Sequence, residues 1–137
     1  MSRGIHVPVF VTSSPIHGFG LFAAAPVRTG ALVTRWTPGV DMAFTRATLD
    51  ALPRELRVFA LHFGWEAPDG LRLVSFNASH FTNHSDNPNL RVSNDTRSSY
   101  ARRDIAAGEE LTEDYRELGA PVCECELDCP YCEEALT

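Results

Sequence analysis

The chain contains no lysine: all 12 of its basic residues are arginine, set against 18 acidic residues for a formal net charge of −6. A G+C-rich genome that favours arginine codons accounts for that bias. The acidic balance argues against direct nucleic-acid binding, because a phosphate backbone requires clustered positive charge. It favours a basic protein or peptide partner, drawn in by a negative surface. No apolar run approaches the ~20 residues needed to cross a bilayer. The first residues, MSRGIHVPVFVT, hold no apolar stretch of signal-peptide length. An intracellular, soluble protein with no membrane association is expected, cytoplasmic if bacterial. There is no internal repeat, low-complexity tract or coiled-coil pattern, and the oligomeric state is left open.

Cysteine is absent until position 123. All four, Cys123, Cys125, Cys129 and Cys132, fall within CECELDCPYC. A disulfide framework would spread its cysteines through the fold. Cys-x-Cys and Cys-x-x-Cys pairs instead suit the tetrahedral thiolate preference of Zn²⁺, with a redox or adventitious cluster as the alternative.

The 137 residues suffice for one domain with a real core. VPVFVTSS is β-branched and ends in turn formers, so it reads as a strand. LFAAAPV and ALVTRW, separated by RTG, suggest a strand-turn-strand unit. TLDALPRELRVFALHF carries the best helical signal. Pro53 suits a first helical position, and Leu56, Phe59, Ala60 and Phe63 fall at helical spacing. LRLVSF, LRVSND and SSYARRDI read as further strands between turn signals at APDG, NHSDNPN and AAGEEL. Many short strands and little helix indicate a mainly β (α+β) fold. A composition shift at Gly119-Ala120-Pro121 divides residues 1–118 from a cysteine-rich tail, 119–137.

Three motifs occur in order: IHGFGLFA, FTNHSDNPN and RRDIAAGEELTEDY. Gly-x-Gly alone is a weak signal, since any tight turn uses such glycines. Asn-His-Ser followed by Asn-Pro-Asn is strong, and GEELTEDY is strong downstream of it. Together they resemble the SET domain, the protein-lysine methyltransferase fold, from about Val7 to Cys132. The overall type is that of small bacterial and viral members with a post-SET-like tail. The resemblance implies a β-clip of short strands in small sheets, a pseudoknot and one or two short helices. It implies methyl transfer from S-adenosylmethionine to a lysine ε-amine of a protein, such as a basic histone-like or ribosomal protein. His17, Gly18, Phe19, Gly20, Asn83, His84 and Tyr115 are the implied cofactor-binding residues, and Tyr115 is the implied catalytic residue. Asn87, Pro88 and Asn89 are expected to hold the path of the chain. Trp36, Tyr100 and Glu113 are expected along the substrate channel, with substrate choice in the segment 45–76. The four tail cysteines are the implied ligands of a structural zinc.

Three positions depart from the family pattern. Asp86 stands where the family's loop has a zinc-binding cysteine. Glu113 stands where an aromatic residue sets the room near the amine. Trp36 stands where a tyrosine precedes x-Gly. Because of Glu113 and Trp36, the rival reading is a degenerate SET-like protein-binding module without catalysis. The degree of methylation and the target lysine are not legible.

Overall fold

The computed structural model describes residues 4–75, 77–93 and 97–118. Ten strands run through the chain: β1 (Val9–Ser13), β2 (Phe19–Ala23), β3 (Leu32–Arg35), β4 (Met42–Phe44), β5 (Trp65–Glu66), β6 (Arg72–Val74), β7 (Asn83–His84), β8 (Leu90–Ser93), β9 (Ser98–Ala101) and β10 (Thr112–Glu113). Two short helices, α1 (Arg46–Ala51) and α2 (Arg54–Phe63), lie between β4 and β5. Two 3₁₀ turns cover Ala78–Phe81 and Tyr115–Leu118. The strands form four small sheets. β1 and β2 pair as an antiparallel hairpin, β3-β9-β8 and β4-β6-β5 are antiparallel triplets, and β10 lies parallel to β7. That parallel ladder joins Thr112 to Asn83 and Glu113 to His84. It brings the chain's two most informative motifs side by side.

Two apolar clusters hold these sheets. Leu21, Ala23, Val27, Val33, Leu90, Ala101, Ile105 and Leu111 form the larger one. Leu49, Ala60, Leu61 and Val74 form the smaller one under the helices, with Phe44, Leu52 and Phe59 against it. Burying each leucine, isoleucine or valine among them stabilises by roughly 1.5–3 kcal/mol.

The helical segment differs from the sequence expectation in two ways. It is two helices, because proline disfavours helical geometry in the residue before it. Leu52 accordingly sits at φ −68°, ψ 146°, and Pro53 becomes the N-cap of α2 rather than its first turn. The buried stripe of α2 is Val58, Ala60 and Leu61, whereas Leu56 is 54% exposed. Phe63 faces the cavity described next rather than the core. At the far end of α2, buried Arg72 from β6 donates to the carbonyls of Ala60 (3.1 Å), Leu61 (2.5 Å) and Gly64 (2.9 Å). A cation among terminal helix carbonyls satisfies acceptors that the helix leaves open and suits its dipole.

Candidate functional site

A cavity of about 950 Å³ opens among the described residues. Its walls are residues 16–19, the end of β3 at 34–36, the α2–β5 junction at 62–65, the 79–84 segment, Ser98–Ser99, Glu113 and Tyr115. The size suits a drug-sized or cofactor-sized ligand. Thr82 is buried on this wall, and its Oγ1 has no hydrogen-bond partner among the described residues. A hydroxyl so placed has bonding capacity left for a ligand.

One amide organises the mouth of the cavity. Asn83 Nδ2 lies 3.1 Å from each of Ser14 Oγ, His17 O and Phe19 O, and 2.9 Å from Glu110 Oε2. An amide nitrogen carries two hydrogens, so these four acceptors share them. Ser14 Oγ in turn bonds both oxygens of Glu110, at 2.9 and 2.8 Å, and accepts from Ile16 N at 3.0 Å. The two glycines of the loop therefore have different reasons. Gly18 adopts φ +44°, which side-chain-bearing residues rarely take, and a Cβ there would meet open space. A Cβ on Gly20 would collide with the Glu110 carboxylate, so that glycine makes room for the clamp.

The neighbouring residue organises the far wall. His84 Nδ1 accepts from the Tyr115 backbone N–H at 3.1 Å, and Nε2 lies 2.9 Å from Asp86 Oδ1. With Nδ1 accepting, the ring proton belongs on Nε2 and is donated to Asp86. The Tyr115 hydroxyl donates to the Thr82 carbonyl at 2.6 Å. Burial, reinforced by nearby Glu113, pushes the Tyr115 phenol up to about 12. Glu113 lines the same cavity, and burial with the charge of Glu117 raises its carboxyl to about 7. Arg116 bonds Asp114 at 2.8 Å and holds that carboxyl down to about 2.

The SET-domain sequence profile matches residues 18–116, most of the chain. The chain belongs to the SET-domain family. Solved structures agree. A Chaetomium thermophilum Polycomb Repressive Complex 2, humanised and inhibitor-bound, is 26% identical with TM-score 0.62, covering 85% of this chain. The same fungal complex bound to S-adenosylmethionine is 22% identical with TM-score 0.61, over 89% of this chain. This chain spans only 16% of each of those fungal chains. A Plasmodium falciparum protein assigned as a histone methyltransferase is 18% identical with TM-score 0.56, covering 81% of this chain and 95% of its own. No curated protein matches by sequence.

Within this SET domain, His17, Gly18, Phe19, Asn83, His84 and Tyr115 converge on the cavity, and Gly20 stands directly behind it in the clamp. Asn83, expected to bond a cofactor through its amide, uses its N–H groups on the protein's own loop. Trp36 lines the cavity, edge-on to Trp65 at 6.3 Å and with the Arg97 guanidinium 5.1 Å over its ring. Tyr100 is not brought to the cavity. From β9 it is Ser98 and Ser99 that line the cavity, while Arg91 stacks over the Tyr100 ring at 5.0 Å. Asn89, almost fully buried, donates to Glu110 O at 2.7 Å and accepts from Thr112 N at 2.8 Å, which ties β8 to β10. Ser14 and Thr82 were not legible as site residues, since a serine before a turn and a backbone carbonyl carry no motif. Glu110 lies within GEELTEDY, and in the structure its carboxylate is the acceptor at the centre of the clamp. Cys123, Cys125, Cys129 and Cys132 lie outside the described residues. Among the described residues no group of three or more His, Cys, Asp or Glu could hold a metal ion. Nor is any described helix long and apolar enough to cross a membrane.

Proposed function

We propose that this SET domain transfers a methyl group from S-adenosylmethionine to the ε-amine of a lysine in a basic protein, such as a histone-like or ribosomal protein. The observation that carries the reading is the Tyr115 hydroxyl, fixed by the Thr82 carbonyl in a cavity that the glycine loop clamped by Asn83 also lines. The residues present fit the cofactor. His17 to Phe19 offer close backbone approach, Asn83 and His84 position the loop and Tyr115, and Phe19 and Trp36 give apolar faces. S-adenosylmethionine supplies an electrophilic methyl group on a sulfonium.

The chain's own residues would do the rest. Tyr115 directs its only hydroxyl hydrogen at Thr82, so its oxygen presents lone pairs to an incoming amine. Held by His84 through its backbone, it orients the nitrogen, and such positioning is worth several kcal/mol. The aromatic walls exclude water and favour the neutral amine. In this reading residues 119–137 form a zinc-bound tail through the four cysteines, and chelation would weaken cofactor affinity.

The test is transfer of radiolabelled methyl from S-adenosylmethionine to core histones and a cell lysate, with Tyr115→Phe alongside. Labelling that drops at least ~100-fold in the variant supports the enzyme. Cofactor binding without any transfer would instead support a non-catalytic, partner-binding SET module, the reading favoured by a carboxylate at Glu113.

A further inference from the structure

We propose that Glu113 accepts the proton of the incoming lysine ammonium, a role that rests on the methyl-transfer reading above. An ε-ammonium has an ordinary pKa of about 10.4, so near neutrality only about one lysine in a thousand is ready to attack. Something in the cavity must take the proton, and its polar groups can be weighed one by one.

Tyr115 is a poor acceptor of protons. Its phenol stays protonated well above neutral pH, and its hydrogen is committed to Thr82. His84 engages both ring nitrogens, with the Tyr115 N–H and with Asp86. His62 and His80 are made weaker bases by burial. Arg97 is a permanent cation, stacked on Trp36 and 3.5 Å from Asp69. Asp69 is thereby drawn toward the exposed rim.

Glu113 is differently placed. It is fixed on β10, where Ser85 N donates to its carbonyl at 2.9 Å, and it lies two residues before Tyr115 on the same wall. It has no ion pair among the described residues. The groups packed nearest are His84 on β7 and Tyr115 and Glu117 on the following turn, and Glu117 is itself bonded by Arg102 at 2.7 and 3.0 Å. A carboxyl in its ordinary range would be a weak base, but burial raises this one to about 7, close to the operating pH.

The step balances. The ammonium N–H bond breaks, the proton passes to a Glu113 carboxylate oxygen, and the nitrogen keeps the electron pair. That pair forms the new N–CH₃ bond as the sulfonium C–S bond breaks, leaving a methylammonium and a neutral thioether. Glu113 then returns its proton to water through the open mouth and is ready for another turnover.

The experiment compares wild type with Glu113→Gln on the acceptor labelled in the transfer assay, from pH 6 to 10. Wild-type kcat/KM should rise about tenfold per pH unit up to about 7 and then level. The glutamine variant should lose about 100-fold at pH 7, and its limb should move toward the pKa of lysine itself, so that the gap closes near pH 10. A carboxyl resonance of ¹³C-labelled glutamate titrating near 7 should vanish in the variant. Calorimetric S-adenosylmethionine affinity within threefold of wild type shows that the variant is folded. An unchanged rate and limb in Glu113→Gln, with wild type active, overturns the proton role alone. A wild-type limb above pH 9 does the same even if the variant fails to fold. Absence of transfer by the wild type overturns the methyl-transfer reading beneath it.

Discussion

The amide of Asn83 gives the sharpest test of the geometry. Asn83→Asp keeps size and shape but replaces a donor with an acceptor 2.9 Å from Glu110 Oε2. Two carboxylates at that separation repel by roughly 6 kcal/mol at an effective dielectric near 20. The pair has a less costly course, which is to keep one proton. Holding a carboxyl protonated at pH 7 costs about 1.4 kcal/mol for each pH unit above its ordinary value, or roughly 4 kcal/mol. The lower figure governs, so about 4 kcal/mol should be lost at pH 7 and much less at pH 4.5, where the shared proton is almost free. For a chain of this length each kcal/mol moves Tm by about 3–5 °C. Thermal melts across pH 4.5–8 should therefore show Asn83→Asp falling more than 10 °C below wild type at neutral pH and converging in acid. The double variant Asn83→Asp/Glu110→Gln removes the carboxylate pair and should abolish the pH dependence, recovering only part of the loss because the His17 and Phe19 carbonyls stay without their amide donor. A deficit that does not shrink in acid, or a double variant that keeps the pH dependence, would refute the shared-clamp argument.

Three further outcomes are expected. Gly20→Ala drives a Cβ into the Glu110 carboxylate and should cost about 2 kcal/mol, less in a Glu110→Ala background, as a denaturant double-mutant cycle would reveal. Glu113→Gln should match wild-type Tm below pH 4.5 and exceed it above 7. The folded carboxyl titrates near 7 and the unfolded one near 4.5, so ionisation favours the unfolded chain across that window; the gain is up to about 3 kcal/mol. Arg72→Met strips three carbonyls at the end of α2 of their donor and should lower stability by about 2–4 kcal/mol in chemical denaturation.

The strands were legible because period-two patterning and turn formers carry them directly, and the motif residues because three ordered motifs resemble the SET family. Asn83, His84 and Tyr115 could be named from the sequence, but not what each touches. Gly20 owes its identity to Glu110, far along the chain, and no local pattern announces that pairing. The helical stripe was misread at Leu56 because α2 is apolar at Leu56, Val58, Phe59, Ala60, Leu61 and Phe63, so spacing alone does not choose which arc packs inward. Tyr100 was placed in the channel by residue type alone, whereas the facing of β9 sends Ser99 inward and leaves the tyrosine ring under Arg91.

The two halves of the site are joined through a single dipeptide. Successive residues of a strand point to opposite sides. Asn83 can therefore reach back to the 14–20 loop while His84 reaches forward to the Tyr115 backbone. The parallel ladder with β10 fixes the register, since Thr112 pairs with Asn83 and Glu113 with His84. A shift of one residue would exchange the two faces and break both connections at once. The glycine loop and the Tyr115 wall are thus one mechanical unit, although most of the chain separates them in sequence. The order Asn-then-His is required by this arrangement. Its reversal would place an imidazole against Glu110 and an amide against Tyr115, losing the loop clamp even though composition and burial stay the same.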